Sequence, residues 1–187
     1  MVRILGFNGN DDSGAALLED GKIKYAVNEE RLIRIKLYKG FPQKSINLIL
    51  EENKLKPDDI DKVVVTGYPS KYPSIKDYLK KLAATSPLYY YYVAGRFKYM
   101  HNVIKTDFKE TMSKARKLFP KSEIINVDHH LAHAASAHFT SGWEKNLIVT
   151  ADGWGDRLSN GAYLGNGPKI RMIHGYHEMD YLGYFYG

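Results

Sequence analysis

Apolar runs broken by turn-formers lay out the first part of the chain. Apolar positions from Val2 to Phe7 precede the turn-forming residues 8–13. Gly14-Ala15-Ala16-Leu17-Leu18 then runs into Asp20-Gly21 and Lys22-Ile23-Lys24-Tyr25-Ala26-Val27. Asp-Gly between two such runs is the chemistry of a tight type I′ hairpin, so the pattern predicts three antiparallel strands. Pro42 suits a helix start. Ile46, Leu48, Ile49, Leu50 and Leu55 give the next segment an apolar face, and Lys56-Pro57-Asp58-Asp59 ends it. Val63-Val64-Val65 then reads as a buried strand.

Further along, Glu123-Ile124-Ile125-Asn126-Val127 predicts a strand and residues 128–140 a helix with Asp128 near its cap. Leu147-Ile148-Val149-Thr150-Ala151 reads as another buried strand, feeding a glycine-rich turn, Asp152-Gly153-Trp154-Gly155-Asp156. Gly161-Ala162-Tyr163-Leu164 and Ile170-Arg171-Met172-Ile173 give the next hairpin. The opening β-β-β-α-β order is that of an α/β fold, a ribonuclease-H-like nucleotide-binding half-domain. The apolar, aromatic end Tyr181-Leu182-Gly183-Tyr184-Phe185-Tyr186-Gly187 is unlike a polar natural terminus and reads as a truncation.

Composition narrows the chemistry. With 187 residues, 44% of them hydrophobic, the chain can bury a core, so a disordered class is excluded. No apolar run approaches the ~20 residues of a membrane span, and the opening residues lack a signal-peptide layout, which points to a cytoplasmic protein. The absence of cysteine excludes thiolate nucleophiles and sulfur-ligated metals, leaving nitrogen and oxygen as donors. The net charge of +6 is local: residues 69–121 hold 12 Lys/Arg against 3 Asp/Glu, and the rest of the chain 15 against 18. That Lys- and Tyr-rich segment, with Leu88-Tyr89-Tyr90-Tyr91-Tyr92-Val93 within it, reads as a helical insertion with Tyr inward and Lys outward. A single-stranded nucleic-acid surface is the alternative.

Three clusters can carry chemistry. His129 and His133, four apart on a predicted helix, project from one face and can converge on one ion. A chain with 7 histidines often produces such a pair by chance, so the weight comes from Asp152 at the end of the next strand. Two imidazoles and a carboxylate form a facial set that suits Fe(II) and accepts Mn or Zn. His130 faces elsewhere, as a support to the ligands or simply exposed. Gly153 and Gly155 with Asp156 can form a phosphate loop for a polyphosphate and its divalent cation, and Asn8-Gly9-Asn10-Asp11-Asp12-Ser13-Gly14 is a matching turn that would clamp the same nucleotide. Arg31, Arg34 and Lys36, after the third strand, read either as a solvated charge run or as an anion-binding edge.

Several stretches together resemble the nodulation-type and antibiotic-tailoring O-carbamoyltransferases. The matching segments are Ile4-Leu5-Gly6, Asp12-Ser13-Gly14-Ala15-Ala16-Leu17, Asn28-Glu29-Glu30-Arg31-Leu32 through Lys36, and Gly40-Phe41-Pro42. The match resumes with residues 128–137 and with Thr150-Ala151-Asp152-Gly153-Trp154-Gly155-Asp156, and it misses the basic middle. The resemblance implies an actin/sugar-kinase/heat-shock-ATPase type of fold with a mixed sheet, of which residues 1–187 are the N-terminal part, the helical insertion lying at about 69–121. It also implies an enzyme that joins carbamate from carbamoyl phosphate to ATP as carbamoyl-adenylate and passes the carbamoyl group to a small-molecule hydroxyl. By motif position His129, His133 and Asp152 are metal ligands, Lys36 contacts carbamoyl phosphate, and Asp12 joins Lys36 as a catalytic candidate. Asp11 and Leu37 stand where many members carry His. Family members continue into further domains, so the chain alone is expected to bind metal without turnover. A nucleic-acid module, or another phosphotransferase or hydrolase on the same fold, are the alternative readings.

Overall fold

The computed structural model describes residues 1–10, 12–67, 106–155 and 158–177, together with Ala83, Tyr91 and Gly95. They fall into two compact units, drawn from Met1–Tyr68 with Val93–Asn126 and from Pro69–Tyr92 with Val127–Gly187.

The first unit opens with β1 (Arg3–Asn8), β2 (Gly14–Glu19) and β3 (Lys22–Asn28), each antiparallel to the next. Asp20 and Gly21 take φ of 47° and 78°, the paired positive values a type I′ turn requires. A five-residue helix α1 (Glu29–Ile33) follows, which the hydrophobic pattern does not announce. Then come α2 (Gln43–Glu52), a 3-10 turn (Pro57–Asp59) and β4 (Lys62–Thr66), which pairs in parallel with β1. The helical residues 106–118 (α3) lead to β5 (Glu123–Val127). The strand order is β3-β2-β1-β4-β5. Three antiparallel strands, a helix and a parallel return on a mixed sheet make the ribonuclease-H-like arrangement that the sequence predicts.

Alternation explains the core. Leu5 and Phe7 of β1, Ala15 and Leu17 of β2, and Val63 and Val65 of β4 point to one face, and all are buried. Ile46, Ile49 and Leu50 of α2 close over that face, as do Ala115 of α3 and Phe119 just beyond it. Gly6 of β1, Ala16 of β2 and Ala26 of β3 occupy the opposite face of the sheet with side chains of one carbon or none.

The second unit contains α4 (His129–Thr140), β6 (Lys145–Gly155), β7 (Leu158–Asn166) and β8 (Lys169–His177), the strands forming an antiparallel sheet in that order. Ala134, Ile148 and Tyr163 form its core with Leu131 and Ile170 against them. The strand read as buried is only half buried: Ile148 and Thr150 face α4, whereas Leu147 and Val149 are 64% and 68% exposed. A run of apolar residues resembles a doubly covered strand whether one face is covered or both. The other expectation to change is the boundary. β6 continues through the predicted glycine turn to Gly155, with its pairing to β7 shifted between Ala151 and Gly155. Most of the basic insertion and residues 181–187 lie outside the described residues.

Candidate metal centre

α4 starts where its sequence says it should. Asp128 takes an extended backbone conformation as the N-cap, and its carboxylate accepts from the N–H of Leu131 at 3.0 Å. From that fixed start the 3.6-residue repeat divides the helix into two useful stripes. His130, Ala134 and His138 form the buried one, and His129 and His133 lie on its flank. Of the helix's alanines Ala132, Ala134, Ala135 and Ala137, only Ala134 is buried, and Ala137 is exposed.

Strand alternation supplies the third group. Ile148, Thr150 and Asp152 share a face of β6, and the first two pack under α4, so Asp152 emerges beside the first turn of the helix. The Nε2 of His129 is 2.5 Å from the Asp152 Oδ2, the Nε2 of His133 is 3.3 Å from the same oxygen, and the two nitrogens are 3.0 Å apart. All three donors fall within 4.8 Å of one another. Asp152 and His129 are partly exposed and His133 is exposed, so the cluster opens to solvent.

Ligand atoms held ~2.1 Å from one ion at right angles are separated by about 3.0 Å. Two of the three separations match that, and the third requires Asp152 and His129 to part by about half an ångström. A neutral imidazole has one N–H and one lone pair, and a carboxylate only lone pairs. Two imidazole nitrogens and a carboxylate oxygen turned towards one point offer a single divalent cation three lone pairs at once. The donor set therefore fits a metal ion.

His130 is not exposed but wholly buried. Its Nδ1 lies 2.9 Å from the Thr150 hydroxyl and its Nε2 2.9 Å from the Leu158 carbonyl. Burial pushes its pKa below the ordinary histidine value, which keeps the ring neutral. A carbonyl only accepts, so Nε2 carries the hydrogen, and Nδ1 accepts from Thr150. The residue thus pins α4 to β6 and β7 two positions from Asp152. The sequence signal was its place four residues before Ala134 and eight before His138 on one stripe.

The other candidates divide. Asp12 and Arg31 line one cavity of about 460 Å³ in the first unit, over the small residues Gly6, Ala16 and Ala26. Arg34 and Lys36 are exposed on the loop after α1 and are not among its described lining residues. Gly153 and Gly155 lie in the irregular end of β6, while Asp156 and Asp11 are outside the described residues. The two turns read as a nucleotide clamp belong to different compact units.

Residues 3–187 match the family model described as "Carbamoyltransferase N-terminus". The chain belongs to this carbamoyltransferase family. It is 31% identical over 175 residues to nodulation protein NolNO of Sinorhizobium fredii, covering 94% of this chain and 24% of that protein. It is also 29% identical over 195 residues to the uncharacterized protein sll1178 of Synechocystis, covering 100% of this chain and 31% of that one. Among solved structures, YeaZ from Pseudomonas aeruginosa aligns at 14% identity and a TM-score of 0.49, over 93% of this chain and 65% of its own. The chain spans 24 and 31% of the length of these two curated relatives. Among the described residues, no helix is long and apolar enough to cross a membrane.

Proposed function

We propose that this chain is the N-terminal part of the nucleotide-binding domain of a cytoplasmic carbamoyltransferase, with its basic insertion at about 69–121. The whole protein would take the carbamoyl group from carbamoyl phosphate with ATP, carry it as carbamoyl-adenylate, and deliver it to the hydroxyl of a small molecule. Family membership supports the general reaction. The convergence of His129, His133 and Asp152 carries the assignment of a metal to this chain.

Those three residues would hold the ion from one side, leaving the solvent side of the cluster for substrate oxygens. Two imidazoles and a carboxylate suit Fe(II) first, with Mn or Zn also accepted. When bound, such an ion polarises phosphoryl or carbamoyl oxygens. The chain's own groups do the rest. Arg31 and Arg34 offer forked donors to a phosphate, and Lys36 a point charge to carbamoyl phosphate. Asp12, which lines the cavity with Arg31, would accept the proton of an incoming hydroxyl. Gly153, Gly155 and Asp156 would approach the ATP phosphates and their Mg ion through backbone amides and a carboxylate. Turnover is assigned to the longer protein, since the relatives are several times the length of this chain.

Metal content decides the reading. The purified chain is expected to take up one divalent ion, and the His129→Ala/His133→Ala double variant is expected to take up none. A double variant that keeps full stoichiometry overturns the assignment.

A further inference from the structure

Glu29 begins the Glu29-Glu30-Arg31 stretch but does not share its neighbours' exposure. It is 3% exposed, whereas Arg31, Arg34 and Lys36 are all exposed. A carboxylate withdrawn from water must find donors, because an unpaired buried charge is among the most costly groups in a fold. Glu29 finds three. Its Oε1 accepts from the Lys44 N–H at 3.0 Å, and its Oε2 accepts from both the N–H and the hydroxyl of Ser45 at 2.7 Å each.

Lys44 and Ser45 sit in the first turn of α2, where helix geometry leaves N–H groups without intrahelical partners. A helix ordinarily meets that need with its own N-cap, as Asp128 does for α4. At α2 the N-cap is Pro42, which makes no side-chain cap bond. The cap comes instead from the first residue of α1, the helix that carries Arg31.

The same residue is tied to the turn on the other side of Arg31. The Glu29 backbone N–H donates to the Ser13 carbonyl at 2.9 Å, and the Ser13 N–H donates to the Tyr38 carbonyl at 3.0 Å. The next residue closes the loop between, with the Glu30 Oε2 accepting from the Leu37 N–H at 3.1 Å. Three stretches that carry candidate substrate contacts, around Asp12, Arg31 and Lys36, are therefore linked through the backbone of Glu29 and Ser13 and the side chain of Glu30, and the buried Glu29 carboxylate fastens them to the start of α2.

We propose that Glu29 is a positioning residue: by anchoring α1 to α2 and to the Asp12-Ser13 turn, it holds Arg31 at the cavity in readiness for a phosphate group. The inference rests on the reading above that Arg31 contacts a phosphorylated substrate. Its physical basis is preorganisation, since a flexible guanidinium must be ordered on binding unless the fold orders it beforehand.

The test measures binding of inorganic phosphate to the 187-residue chain, well below its melting temperature, for the parent and for the Arg31→Ala, Glu29→Gln, Glu29→Gln/Arg31→Ala and Ser45→Ala variants. Glu29→Gln keeps the side chain's size but turns an amide N–H₂ towards N–H donors. It is expected to weaken phosphate binding roughly tenfold, because small misplacements of a binding group carry penalties of that order. Ser45→Ala, which removes one donor and leaves the carboxylate, is expected to weaken it less. The double variant is expected to be no weaker than Arg31→Ala alone, since Glu29 acts through Arg31. A Glu29→Gln chain that melts earlier but binds phosphate as tightly as the parent shows a purely structural role and overturns the proposal. Should Glu29→Gln fail to fold, unchanged binding in Ser45→Ala overturns it equally. Unchanged binding in Arg31→Ala overturns the anion reading itself, and the positioning role with it.

Discussion

The hydroxyl of Thr150 lies 2.9 Å from Nδ1 of His130, and through this contact the helix that carries His129 and His133 is fastened to the strand that carries Asp152. Because Leu158 takes the hydrogen of Nε2, nothing else described is placed to satisfy Nδ1. Thr150→Val keeps the shape of the side chain and leaves that nitrogen buried without a donor. The chain is expected to lose about 1–3 kcal/mol of stability. Equilibrium denaturation checks this, and an unchanged midpoint would refute the pinning role.

Gly161 stands opposite Thr150 across β6 and β7. A Cβ built there would lie 2.6 Å from a Tyr163 ring carbon and 2.9 Å from the Thr150 hydroxyl, both too close. Gly161→Ala is therefore expected to destabilise the second unit by about 1–3 kcal/mol through overpacking. It should also weaken metal uptake, because the displaced hydroxyl is the one that holds His130. Denaturation followed by metal titration separates the two effects.

Asp152→Asn removes the carboxylate charge while keeping the side chain's size. Affinity for Fe(II), Mn or Zn is expected to fall by well over tenfold with little change in melting temperature of the metal-free chain. Loss of a supporting group alone reduces metal affinity about 10–100-fold, and Asp152 is proposed as a direct ligand. Competition titration against a chelator gives the measurement, and affinity equal to the parent's would count against Asp152 as a ligand.

Leu37 holds φ at 53°, in the left-handed region that a branched apolar side chain rarely occupies, and it is exposed there. Its backbone N–H donates to Glu30 whatever the side chain. Asn tolerates this conformation, so Leu37→Asn is expected to stabilise the chain by about 1 kcal/mol. A lower melting temperature would show that the leucine side chain contributes contacts that outweigh the backbone strain.

Much of this was legible in the residues because local chemistry and tertiary packing agreed. Asp20-Gly21 formed its turn, Pro42 began α2, and Asp128 capped α4, each for a reason contained in a few neighbouring residues. The pairing of His129 and His133 with Asp152 was readable from helix spacing and strand position. What escaped depended on long-range partners. The burial of Glu29 is set by donors on Lys44 and Ser45, 15 and 16 positions away, so a stretch open to reading as a solvated run or an anion-binding edge gave no sign of its one internal member. His130 stayed open between a support to the candidate ligands and an exposed residue because its own partners, Thr150 and Leu158, lie 20 and 28 residues on. The half-exposed face of β6 follows from α4 covering only the Ile148 side, which no pattern within the strand records.

Asp152 follows His129 by 23 residues, and His133 stands one helical turn from His129. Loop-closure entropy grows with the logarithm of length, so gathering the candidate ligands over such a span costs modestly less than joining distant parts of a chain. The helix, the strand with Asp152 and the neighbouring strand that fixes His130 occupy one continuous stretch from His129 to Asn166. The order of synthesis then acquires a meaning. The three candidate ligands all lie in that stretch and can come together as soon as it has left the ribosome.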